Sequence, residues 1–202
     1  MRKRLALFGS GRGSNGEALY SAMESGHING RIVLIISDRP DTGIVHKGHA
    51  WHIPVHVVDP THYGNGEAWT QAMLDILQEY EVDGILLAGY MHILLPTFVQ
   101  AYRGKILNIH PSLLPSFTGL QAQKQALLKG VKYTGCTVHF VDEGMDTGPI
   151  IAQAVVAVYE DDTVDMLSKR ILHEEHRIYP EAVRLFCDDA LEIVESRVFI
   201  RK

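Results

Sequence analysis

Leu5-Ala6-Leu7-Phe8-Gly9-Ser10-Gly11-Arg12-Gly13-Ser14-Asn15 is the stretch that decides the architecture. A short apolar run bounded by a glycine-rich turn fits a strand buried on both faces. The amphipathic segment that follows, Gly16–Ser25, fits a helix. A strand, a glycine turn and a helix N-terminus make an anion site, because free backbone N–H groups and the helix dipole converge there. Three readings stay open for this turn: a phosphate-ester site, a dinucleotide site and a purely structural tight turn. The dinucleotide fingerprint requires a third glycine at position 14, where Ser14 stands with a hydroxyl suited to a phosphate. Asp38, at the end of the second predicted strand, would serve a ribose contact if a dinucleotide did bind.

The alternation continues outward from this unit. Strands are predicted at Arg4–Phe8, Arg31–Ser37, Val55–Val58, Gly84–Ala88, Lys105–Ile109, Tyr133–Val141 and Ile150–Val158. Helices are predicted at Gly16–Ser25, Thr42–Trp51, Glu67–Tyr80, Pro96–Ala101, Leu120–Lys129 and Thr163–Phe186, the last interrupted at Pro180 and capped by Asp161 or Asp162. This pattern predicts an α/β fold, a mostly parallel central sheet flanked by helices, with an antiparallel portion in the C-terminal half. With 202 residues and neither repeat nor linker, a single domain over residues 1–202 is the simplest organisation.

Composition narrows the function classes. A net charge of −5 gives no reason to expect nucleic acid as a partner. The basic start Met1–Arg4 precedes an apolar run too short for a signal peptide, and no stretch is long enough to span a membrane. Cys136 and Cys187 fit free thiols in a reducing compartment, so a cytoplasmic protein is expected. His46, His49 and His52, and the pair His173 and His176, lack the spacing of a helical metal site, and no metal is expected.

The chemistry concentrates in Asn108-Ile109-His110-Pro111-Ser112-Leu113-Leu114-Pro115-Ser116-Phe117-Thr118. Asn108 and His110, two apart on an extended segment, share one face. Pro111 disfavours the α region for His110 and keeps it extended. An amide beside an imidazole can stabilise an oxyanion and move a proton, which is the equipment of acyl transfer. The same residues also suit a strand end with a capping Asn and a half-buried His. Asp146, in the acidic loop Asp142–Pro149, would favour a protonated, oriented His110 if brought near it. Tyr90–Pro96 follows a central strand through Gly89, where an apolar segment could wall a flat ligand or simply connect two elements.

Several stretches, in one order along nearly the whole chain, carry a family resemblance: Gly13-Ser14-Asn15, Leu87-Ala88-Gly89-Tyr90-Met91, Asn108–Pro115, Thr137-Val138-His139-Phe140-Val141-Asp142, Asp146–Gln153, and Glu175-His176 before Tyr179-Pro180. In these the chain closely resembles the folate-dependent phosphoribosylglycinamide formyltransferase family of purine biosynthesis. The resemblance implies a Rossmann-like formyltransferase fold, with Gly13, Ser14 and Asn15 on the substrate phosphate and Glu175 on its amine. It implies 10-formyltetrahydrofolate as co-substrate against Met91, His92, Ile93 and Leu94, with the formyl group near Asn108. It further implies Asn108, His110 and Asp146 as the catalytic residues, and a cis Leu114–Pro115 bond. Small-molecule substrates and a monomer or homodimer are the implied partners. The chain departs from common family residues at Gly64–Gly66, which lacks an Arg, and at His92, Gln121 and Leu172. A related formyltransferase acting on another amine is the alternative.

Overall fold

The structure is a computed structural model and describes residues 2–201. They form two compact units, one running up to Leu107 and one starting at Asn108. The seven-stranded sheet is mostly parallel, with the antiparallel portion in the C-terminal half, as the alternation predicts.

In the first unit, β1 (Lys3–Phe8) lies between β2 (Gly30–Ser37) and β4 (Gly84–Leu87), and β3 (Val55–Val57) pairs with the outer side of β2. All three pairings are parallel. Leu5, Ala6, Leu7 and Phe8 are wholly buried, which is why this strand reads as a continuous apolar run with no polar face. The helices are α1 (Ser14–Glu24), α2 (Gly43–Ala50), α3 (Gly66–Glu79) and α4 (Pro96–Ala101). Asn65 caps α3 by accepting from the Ala68 N–H at 2.9 Å. The strand order turns back at β1, so the segments after β1 and β4 leave from neighbouring carboxyl ends, where open α/β sheets hold ligands.

The second unit holds the end of β5 (Ile106–His110), then α5 (Ala122–Lys129), β6 (Tyr133–Phe140), β7 (Ile150–Ala157) and α6 (Val164–Cys187). β6 and β7 pair antiparallel. Three local expectations are corrected here. α6 continues through Pro180, because Leu167, Ile171, Ile178, Tyr179 and Val183 are buried along a face packed on β6 and β7. That packing on both sides of Pro180 outweighs one missing backbone hydrogen bond. Its cap is Thr163, whose hydroxyl accepts from Met166 N–H at 3.2 Å, whereas Asp162 is engaged by Arg170 at 2.8 Å. α5 starts at Ala122 and not at Leu120, since Gln121 at φ 58° lies in the left-handed region and cannot belong to a right-handed helix.

A hairpin of β8 (Leu191–Val194) and β9 (Arg197–Ile200) ends the chain, and sequence reading did not anticipate it. Its turn, Glu195-Ser196, lacks the Asn-Gly or Asp-Gly signal of a tight hairpin, and Glu195 takes φ 56° without being glycine. Cys136 and Cys187 are both buried and are not joined in a disulfide. Among the described residues no helix is long and apolar enough to cross a membrane.

Candidate active site

In the first unit the candidate groups are backbone. Gly13 precedes α1 with φ 74°, and a Cβ there would come within 2.9 Å of the Ile44 side chain and 3.0 Å of its Cα. Glycine is therefore required both by conformation and by the close approach of α2. Ile44 N–H donates to Gly11 C=O at 3.1 Å, so α2 braces the turn from behind. Ser14, Asn15 and Gly16 form the first turn of α1, whose N–H groups have no acceptor within the helix.

The turn is also tied to the segment after β4. Ser10 N–H donates to Gly89 C=O at 3.1 Å, and the Ser10 hydroxyl accepts from Met91 N–H at 3.0 Å. In that segment Met91 and Ile93 are exposed and Leu94 is buried. His92 Nε2 lies 3.0 Å from the buried carboxylate of Asp38, with its ring edge-on to Trp69 and Tyr90. Asp38 is thus a partner of His92. His46 and His49 are exposed on α2 and His52 lies past its end, while no group of three or more metal-binding side chains assembles among the described residues.

In the second unit the candidate groups are side chains. Strand β5 extends through His110, so Asn108 and His110 do share a face, and His110 is only 6% exposed. His110 Nε2 is 2.8 Å from the Phe117 carbonyl oxygen and Nδ1 is 3.4 Å from Asp146 Oδ2. Both neighbours can only accept, so a ring carrying a hydrogen on each nitrogen satisfies both. Asp146 Oδ2 also accepts from Gly119 N–H at 2.8 Å. One loop therefore grips both groups, through a carbonyl at 117 and an amide at 119. Phe117 and Asp146 hold left-handed φ values of 55° and 57°, each an unfavourable conformation for a residue with a Cβ.

The loop is anchored by Thr137. Its hydroxyl donates to Ser112 C=O at 2.7 Å and accepts from Leu114 N–H at 3.1 Å and Gln153 Nε2 at 3.0 Å. The Leu114–Pro115 bond is cis. Glu175 faces inward on α6 and is 7% exposed.

His139 is the residue that sequence reading quoted without a task. Its Nε2 is 3.1 Å from Asn108 Nδ2, its Nδ1 is 2.8 Å from the Phe140 carbonyl oxygen, and it is 1% exposed. Burial holds this imidazole below its ordinary pKa, against the opposing pull of the Phe140 carbonyl and Asp146. Asp146 Oδ1 approaches Nε2 to 3.8 Å, but a neutral ring with its lone pair on that side forms no ion pair.

Residues 3–183 match the model of the formyl transferase family. Phosphoribosylglycinamide formyltransferase of Bacillus subtilis is 44% identical over 182 residues, covering 90% of this chain and 93% of its own. The chloroplastic phosphoribosylglycinamide formyltransferase of Arabidopsis thaliana is 39% identical, covering 98% of this chain and 70% of its own. The crystal structure of glycinamide ribonucleotide transformylase 1 from Symbiobacterium toebii superposes with a TM-score of 0.97 at 47% identity, over 99% of this chain and 94% of that one. The chain belongs to the formyl transferase family.

Proposed function

We propose that this protein transfers the formyl group of 10-formyltetrahydrofolate to the amine of 5'-phosphoribosylglycinamide, giving the N-formyl product and tetrahydrofolate in de novo purine biosynthesis. The observation that carries the reading is buried His110, two residues along β5 from half-buried Asn108 and 3.4 Å from half-buried Asp146. In the reaction the acceptor amine adds to the formyl carbon, and charge develops on the formyl oxygen. Asn108 stabilises that oxygen, and a protonated His110 joins it by exchanging its Nε2–H contact with the Phe117 carbonyl for the formyl oxygen. His110 gives a proton to the departing folate nitrogen as its bond to the formyl carbon breaks and takes back the one shed by the acceptor amine, and Asp146 keeps the ring oriented.

Gly13, Ser14 and Asn15 are assigned to the substrate phosphate and Glu175 to its amine. Met91, His92, Ile93 and Leu94 are assigned to the folate, whose flat ring suits an apolar wall. No step requires a metal. A cytoplasmic location fits both the chemistry and two cysteines that are not joined in a disulfide.

Purified protein supplied with 10-formyltetrahydrofolate and 5'-phosphoribosylglycinamide will release tetrahydrofolate, followed by absorbance. The absence of turnover with this acceptor, alongside turnover with a different amine, would move the assignment to a related formyltransferase.

A further inference from the structure

We infer that His139 is a positioning residue that fixes which way the Asn108 amide faces, by accepting one of its two amide hydrogens. The inference deepens the reading above and rests on Asn108 serving as an oxyanion donor.

The argument is one of donors and acceptors. The Phe140 carbonyl oxygen, 2.8 Å from Nδ1, can only accept, so Nδ1 carries the hydrogen. In a neutral ring Nε2 is then a lone pair. The partner 3.1 Å away is Asn108 Nδ2, which can only donate. An amide turned over by 180° would set its oxygen against that lone pair, so His139 selects a single orientation. One Nδ2 hydrogen is consumed by the ring, and the second remains for a developing negative charge. A protonated His139 would carry a hydrogen on Nε2, could no longer accept from Asn108, and would attract Asp146 Oδ1 from 3.8 Å. The titratable groups acting on this ring are Asp146, His110 and Asp142, and burial outweighs the two acids in keeping it neutral.

The backbone is shaped for the task. The β6–β7 register runs evenly to Val138↔Ala152 and then jumps to His139↔Ile150, leaving Ile151 as an extra residue. Such bulges locally re-aim side chains. This one falls at the position of the ring.

The test compares variants that differ in reach. Glutamine can place an acceptor oxygen near the position of Nε2, whereas asparagine reaches only to about that of Nδ1. His139→Gln is expected to keep kcat within about threefold of the parent, while His139→Asn and His139→Leu lose about 10- to 100-fold, less than the roughly 100- to 1,000-fold for removing an oxyanion donor outright. KM values for both substrates should stay within about twofold, since the loss lies in the transition state. Nitrogen NMR of the substrate-free protein supplies an independent reading. It should report a neutral ring with hydrogen on Nδ1, and one Asn108 amide proton whose shift persists in His139→Gln and collapses in His139→Leu. Equal rates for the Gln and Asn variants, a hydrogen on Nε2, or an Asn108 amide indifferent to residue 139 would each overturn the inference. Because the spectra need no substrate, failure of the parent enzyme to turn over 5'-phosphoribosylglycinamide would count against the functional reading and leave the test of residue 139 intact.

Discussion

The two compact units equip themselves in opposite ways. The first offers peptide groups and apolar surface: a glycine turn, a helix start, and exposed Met91 and Ile93. The second offers buried polar side chains, His110, His139 and Thr137, each engaged on more than one side. Peptide N–H groups bind an anion without discriminating ground state from transition state, so the first unit should govern affinity. Buried, pre-aimed side chains act where charge develops, so the second should govern rate.

The sharpest way to break this division is at His110 and Asp146. His110→Ala and Asp146→Asn should each lower kcat by roughly two or more powers of ten with KM little changed. Near-parental rates in both would deny the second unit its role. Next comes Thr137→Val, which keeps shape and removes the hydroxyl serving Ser112, Leu114 and Gln153. Leaving those groups unpaired in the interior should cost about 3 kcal/mol of unfolding free energy by denaturant titration. A loss under about 1 kcal/mol would mean that they find other partners.

Gly13→Ala tests the first unit. Its added carbon meets Ile44 at a left-handed φ, and the displaced turn should raise the KM for the phosphorylated acceptor about tenfold while sparing that for the folate. An effect confined to kcat would contradict the division. The smallest effect is one of pH. His139 titrates below the ordinary value of 6.5, so below that pH the unfolded chain binds a proton that the native chain refuses. Native stability therefore falls as pH drops from 6.5 toward the folded pKa, and above 6.5 this residue contributes no pH dependence. Thermal melting in His139→Gln should lose stability less steeply over that window than the parent; identical slopes would mean the ring is not held neutral.

The fold was readable because its strands are buried on both faces and its turns carry glycine. Leu5–Phe8 allowed one reading, and strand boundaries fall within a residue of the expected ones. The hairpin Leu191–Ile200 was not readable, since its turn adopts a positive φ at a glutamate. Pro180 misled because a local penalty is visible in sequence and the packing that offsets it is not. In the site, Asn108 and His110 announce themselves by a period of two. Their link to Asp146 could be named only by resemblance, for nothing in a flexible acidic turn says what it approaches. His139 stayed hidden for a further reason: on a strand buried from Thr134 to Phe140 it looks like any core residue, and a bulge at Ile151 of the partner strand is invisible to alternation. The signal available was a histidine inside the apolar run Thr134–Phe140, where an unpaired imidazole would be costly.

The bracket around His110 has one further consequence. A base on a mobile side chain loses rotational freedom each time a ligand arrives, and that loss is subtracted from binding. Here the ring sits between the carbonyl at 117 and the acid at 146, both on backbone in the left-handed region. The entropy of ordering it was spent when the chain folded. The attraction between protein and its two small molecules is then free to go into holding nitrogen against carbon.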